Sequence, residues 1–319
     1  MQIIASPPGW MPTVSMSPLA CTVAPPPGAT PLSLQLPGGR VAALRWGRPG
    51  ARQVLAVHGW LDNAASFDFL APQLCAILDL ELVAIDMPGH GLSDWCPCGY
   101  APASQAGRLL QVLDALEWKQ ADLIGHSLGG LIATLVAAAV PERVRSLCCL
   151  DALGGPAATL ADCVPRLRRH LLAGFQHPLP SPQPLPSLQH GVRARQQANG
   201  LCAQTANALV MRGMREHEGM WHWRTDPQLT LPSAFYLDET QIQAVLAALR
   251  MPTLVVVASH GPLAHAPQRL AMRRACLPAD ALVITLAGGH YMHMDQATTV
   301  ARHLLTLLST SHNAPPPSH

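Results

Sequence analysis

Six short apolar runs constrain this chain most. They are QVLAVHG (53–59), LVAID (82–86), ADLIG (121–125), VRSLCCLD (144–151), PTLVVVAS (252–259) and ALVITLAG (281–288). Each is strand length, and most are apolar without alternation, as strands buried on both faces must be. Between them lie segments of helical spacing, over 66–77, 103–118, 128–140, 239–250, 267–276 and 295–309. In 103–118 the spacing is carried by Leu109, Leu110, Leu113 and Leu116. Strand–helix alternation of this kind predicts a parallel sheet covered by helices on both faces. LSLQL, PGG and RVAALRWG (32–47) precede it and read as an antiparallel hairpin.

The rhythm breaks once. Residues 155–237 hold no clear buried strand, a Pro-rich piece, HPLPSPQPLPS, and helical stretches such as 194–215. The expected layout is a disordered segment over 1–30, a core over 31–154 and 238–310, a helical cap over 155–237 and a disordered tail over 311–319. The chain's 319 residues show no internal repeat and are enough for one large domain.

Composition narrows the function classes. Only 13% of residues are charged and the formal net charge is +2, so no basic field argues for nucleic acid. Lys119 is the only lysine. The N-terminus has no basic n-region, and no apolar run reaches membrane-span length. Nine cysteines without a CxxC framework point to a reducing, cytoplasmic setting. Cys96 and Cys98 are close, but two thiols make a poor zinc site, and a plain loop is the expectation.

The chemistry centres on LIGHSLGG (123–130), which sets Ser127 in Gly-x-Ser-x-Gly between a strand and a helix. That context places a serine on a tight, exposed turn, with Gly125 and Gly129 relieving clashes and a helix N-terminus favouring negative charge. The bland reading is a turn whose serine caps the helix. A nucleophilic serine needs a base and oxyanion donors. Backbone N–H groups of Leu128 and of Trp60, in VHGWLDN, are expected to form the oxyanion hole. His58 is expected to be a structural imidazole of that loop. The base is sought after the last strand, where LAGGHYMHMDQ offers His290 and His293. His290 follows Gly-Gly in a loop free to reach Ser127, and His293 is expected to pack or anchor. His290, His293 and Asp295 can also be read as metal ligands, although no metal-site spacing is matched.

VHGW, DMPGHGLSD, GHSLGG and GGHYMHMDQ, in this order, resemble the α/β-hydrolase superfamily over roughly residues 33–309. LDALGGP, WHWRTDP and GGHYMHM resemble its serine hydrolase-like branch. The resemblance implies an eight-stranded, mostly parallel sheet with a helical cap inserted after the sixth strand. One departure stands out. Many members carry the triad acid after the seventh strand, where this chain reads VVVASHGPLAH. Gly261 occupies that position, and no carboxylate occurs from 251 to 279. Some members place the acid after the sixth strand, which here ends in Asp151. The expected triad is Ser127, Asp151 and His290, and the rival for Asp151 is a role capping the next turn. Asp86 and Asp94 are expected to be structural, and Asp122 to point away.

The expected activity is hydrolysis of a small or medium carboxylic ester through an acyl-enzyme. Thioester, amide and carbon–carbon bonds stay open as alternatives, as does a noncatalytic binding or scaffold role. No cofactor is implied, the partner is a small acyl substrate, and the oligomeric state is left open. Trp221, Trp223, Met211, Met214, Met220 and Phe235 are read as lining an acyl pocket or else packing the cap's own core. Arg224 and Asp226 are expected to pair or cap locally.

Overall fold

The computed structural model describes residues 14–15, 24–97, 99–174, 179 and 182–310. The rest of the two expected disordered termini, with Cys98 and part of the Pro-rich piece, lies outside the described residues. The main sheet is built from β1 (Thr30–Leu36), β2 (Gly39–Gly47), β3 (Arg52–Val57), β4 (Leu80–Ile85), β5 (Ala121–His126), β6 (Val144–Leu150), β7 (Thr253–Ala258) and β8 (Leu282–Leu286). Their order is β1-β2-β4-β3-β5-β6-β7-β8. β1 and β2 form the antiparallel hairpin, β2 joins β4 antiparallel, and every later pairing is parallel. Val14–Ser15 adds a two-residue ladder on β1, so part of the expected disordered segment pairs with the edge strand's open backbone groups.

The period-2 alternation of the strands divides the core in two. Leu55, Val57, Val83 and Ile85 face one side, where α2 (Pro102–Ala115), α3 (Leu128–Ala139) and α7 (Glu239–Ala247) cover them. Val54, Ala56, Leu82 and Ala84 face the other, under α1 (Leu70–Ile77) and α10 (Ala297–Thr310). α8 (Pro267–Arg274) follows β7, and the short α9 (Met292–Asp295) precedes α10. The helix expected over 66–77 is instead a 3-10 turn, Ala64–Phe67, capped by Asn63, and then α1.

The segment between β6 and α7 carries α4 (Cys163–Gly174), α5 (Leu188–Asn199) and α6 (Ala203–Gly213). The helical stretch expected over 194–215 falls across two helices, because Gly200 ends α5 in the left-handed conformation at φ 67°. After α6 the chain forms a small antiparallel hairpin, Met214–His217 with Met220–Trp223, where helices alone were expected. Polar contacts pin this insertion to the core. Arg212 Nε reaches both oxygens of Asp86 at 2.8 and 3.0 Å, Arg195 pairs with Asp62, and Asn63 Nδ2 donates to Leu209 O at 2.9 Å. The Trp95 indole donates to Arg224 O at 2.9 Å, and Tyr100 Oη to Asp226 Oδ2 at 2.5 Å. No helix among the described residues is long and apolar enough to cross a membrane.

Candidate active site

The site lies at the carboxyl ends of β3, β5, β6 and β8, where open α/β sheets bind ligands. Ser127 links β5 to α3 with φ 51° and ψ −115°, a positive-φ conformation that is costly for a residue with a side chain. Its N–H donates to Leu150 O at 3.0 Å, anchoring the turn to β6. The glycines on either side answer to close packing. A Cβ on Gly125 would strike the Gly129–Gly130 backbone, and one on Gly129 would overlap Val57 O. Only hydrogen fits at either position, so the elbow can turn tightly against β3.

Asp151 ends β6 at φ 46°, with its N–H bonded to Val256 O at 2.7 Å. Its side chain crosses the end of β7. Oδ1 accepts from Ala258 N at 3.0 Å, and Oδ2 lies 2.6 Å from His290 Nδ1. A Cβ on Gly261 would overlap that same Oδ2. The carboxylate from β6 therefore fills the space that a side chain at position 261 would use. The Asp151 side chain is fully buried, and that of His290 is 24% exposed, so the imidazole bridges a buried acid and an open cavity.

Ser127, Leu128, Trp60, Asp151 and His290 line one cavity of about 1260 Å³. Among the described residues, no acceptor takes the backbone N–H of Leu128 or of Trp60. The Trp60 side chain is half exposed, and its indole donates to Leu229 O at 3.0 Å in the inserted segment. Insertion and core thus share the cavity wall.

The other histidines have different work. His58 is fully buried, donates from Nδ1 to Gly59 O at 2.7 Å and accepts at Nε2 from Met87 N at 2.9 Å. Burial, reinforced by nearby His90, lowers its pKa to about 3, so it is a neutral strut of the loop after β3. His293 is buried against Ser66, with Nε2 2.7 Å from Oγ, and burial followed by the influence of His290 lowers its pKa to about 3. Asp295 accepts from Thr205 Oγ1 at 3.1 Å. His290, His293 and Asp295 thus face three different partners, and no set of metal ligands gathers among the described residues.

Asp86, Asp94 and Asp122 are held by contacts away from His290. Asp86 accepts from Ala64 N and Leu92 N, both at 2.7 Å, besides Arg212. Burial opposes its charge, but Arg212 and these amides outweigh that and hold the carboxyl below its ordinary value. Asp94 accepts from Arg40 N at 2.8 Å, and Asp122 is held by Arg52, Arg145 and Ser146 at the far end of the sheet.

Of the six side chains expected either to line an acyl pocket or to pack the insertion's own core, Phe235 alone lines the cavity. Met214, Trp221 and Trp223 pack in a cluster that the insertion shares with Phe69, Tyr291 and Met294 of the core, while Met211 and Met220 are exposed. The hairpin explains this, since it turns its aromatic strand toward α5 and α6. Arg224 Nε donates to Met214 O, while Asp226 caps Gln228 N and accepts from Tyr100. Sequence reasoning missed Trp95 and Tyr100 in the wall. It also missed His126, which is fully buried, donates from Nε2 to His290 O at 3.0 Å and packs its ring against His290 and His293. Its place beside Ser127 in the motif was the available signal.

A strained serine on a strand–helix elbow, a buried acid and an imidazole at one cavity are what α/β hydrolases assemble at their strand ends. The family model for the alpha/beta hydrolase fold matches residues 53–297, and the chain belongs to that family. It is 29% identical to a serine hydrolase-like protein of Danio rerio, over 86% of each chain. A crystal structure of a hypothetical protein from Pseudomonas aeruginosa PAO1 superposes with TM-score 0.83 at 32% identity, covering 88% of this chain and 99% of that one. The chain is also 37% identical to a pimeloyl-[acyl-carrier protein] methyl ester esterase of Klebsiella pneumoniae, over 41% of this chain and 47% of the relative.

Proposed function

We propose that the protein is a serine hydrolase that cleaves a small or medium carboxylic ester through an acyl-enzyme. The observation that carries this reading is the 2.6 Å contact between His290 Nδ1 and Asp151 Oδ2, beside Ser127 on its elbow. Asp151 holds the imidazole with its proton on Nδ1, leaving Nε2 to take the Ser127 proton. Ser127 Oγ then attacks the ester carbonyl, and the N–H groups of Trp60 and Leu128 receive the oxyanion. The alcohol leaves with the proton from His290. Water, deprotonated by His290, releases the acid and restores the serine. Residues 155–237 serve as the cap over the cavity, and the substrate is a small molecule. The likeness to a methyl ester esterase favours an oxygen ester over the other acyl bonds. All seven described cysteines are free thiols, which suits a cytoplasmic protein.

A fluorophosphonate probe tests the proposal. Wild type should label and Ser127→Ala should not, with p-nitrophenyl acetate turnover falling about 10⁴–10⁶-fold in the folded variant. Wild-type protein that is folded yet unlabelled refutes the reading and favours a noncatalytic scaffold.

A further inference from the structure

The cavity wall carries two arginines and two carboxylates, and the carboxylates, Asp151 and Asp226, are bonded to other groups than the arginines. The arginines, Arg269 and Arg273, both belong to α8. Arg273 is buried and fully committed. Its Nε and Nη2 take the two oxygens of Glu239 at 2.8 and 2.9 Å, and its Nη1 donates to Leu153 O and Gly155 O. Arg269 lies one turn earlier, with its side chain 52% exposed. Its carboxylate neighbour is Glu239, at 4.0 Å, and both oxygens of that group already serve Arg273.

Among the described residues the other charged groups of the wall are committed elsewhere. Asp151 is taken by His290 and Ala258 N, and Asp226 by Tyr100 and Gln228 N. The His170 ring nitrogen Nδ1 donates to Pro232 O at 2.8 Å. A second cation, Arg166, stacks 4.1 Å over the ring of Tyr236, itself a wall residue. The same lining holds the apolar side chains of Leu131, Leu263, Leu270 and Phe235. The volume, about 1260 Å³, exceeds what a small neutral ester fills.

We propose that Arg269 is an anion subsite, and that the acyl chain of the substrate ends in a carboxylate. This rests on the hydrolase reading above and names its substrate class as a half-ester of a dicarboxylic acid. The ester end sits at Ser127, the methylene chain lies along the leucines, and the free carboxylate meets the planar guanidinium fork.

Calorimetry on Ser127→Ala protein tests this without relying on turnover. Monomethyl adipate should bind about 10-fold or more tighter than methyl hexanoate, the size of one charge-assisted contact. The preference should shrink in high salt. Adding Arg269→Gln should abolish the preference while leaving methyl hexanoate binding and Tm unchanged, and Arg269→Lys should restore part of it. Equal affinity for the two esters overturns the proposal, as does a preference that survives Arg269→Gln. Tighter binding of 6-acetoxyhexanoate than of monomethyl adipate overturns it too, by putting the anion on the alcohol side. The hydrolase reading fails separately, through the fluorophosphonate probe.

Discussion

At the scale of single residues, position 261 gives the sharpest test of the proposed triad. Gly261→Ala adds one methyl where Asp151 Oδ2 now lies, so the carboxylate must move off His290. The expected result is a fall of about 10²–10⁴ in kcat with KM little changed, approaching the loss for Asp151→Asn. Steady-state kinetics checks it, and full activity in Gly261→Ala would show that the Asp151–His290 contact is dispensable. Asp68 gives a second test. Burial raises its pKa to about 7 from an ordinary 3.8, and Oδ1 is buried without a partner among the described residues. The folded state therefore keeps a proton that the unfolded state loses near pH 4, and stability from this group falls as pH rises from about 4 to 7. Asp68→Asn should raise stability at pH 8 by about 1–2 kcal/mol, less than the full shift implies because the side chain is partly exposed. The gain should vanish near pH 4. Urea melts at the two pH values decide it.

Among the elements, the strands and the break at the inserted segment were legible, and the internal order of that segment was not. β3 through β7 are buried on both faces, so their apolar runs stand out, and the glycines around Ser127 mark the elbow because backbone packs against both. Asp151 could be named only through its place at the end of β6. The insertion's order comes from long-range polar contacts, which leave no periodicity. Arg212 reads in the sequence as one more surface cation of α6, yet it is buried against Asp86, 126 positions away. Gly200, which divides two helices, looks like any tolerated glycine until its φ is known. Arg212→Met should leave Asp86 buried without its cation and cost about 3–5 kcal/mol, read as a lower urea midpoint. A change under about 0.5 kcal/mol would mean that the Asp86 amide partners suffice alone.

For the molecule as a whole, the same buried links join insertion and core. Arg212–Asp86, Arg195–Asp62 and Tyr100–Asp226 cross between them, and both contribute to one cavity wall. Calorimetry should show a single unfolding transition, with van't Hoff and calorimetric enthalpies agreeing. A separate low-temperature transition would mean that the insertion melts on its own. The crossing of β7 by the Asp151 side chain has a wider consequence. Neighbouring parallel strands offer one histidine two seats for its acid, and occupying one closes the other. A survey that looks for the acid only at the seventh-strand seat would find glycine in this chain and pass over the Asp151 carboxylate that meets His290 from one strand away.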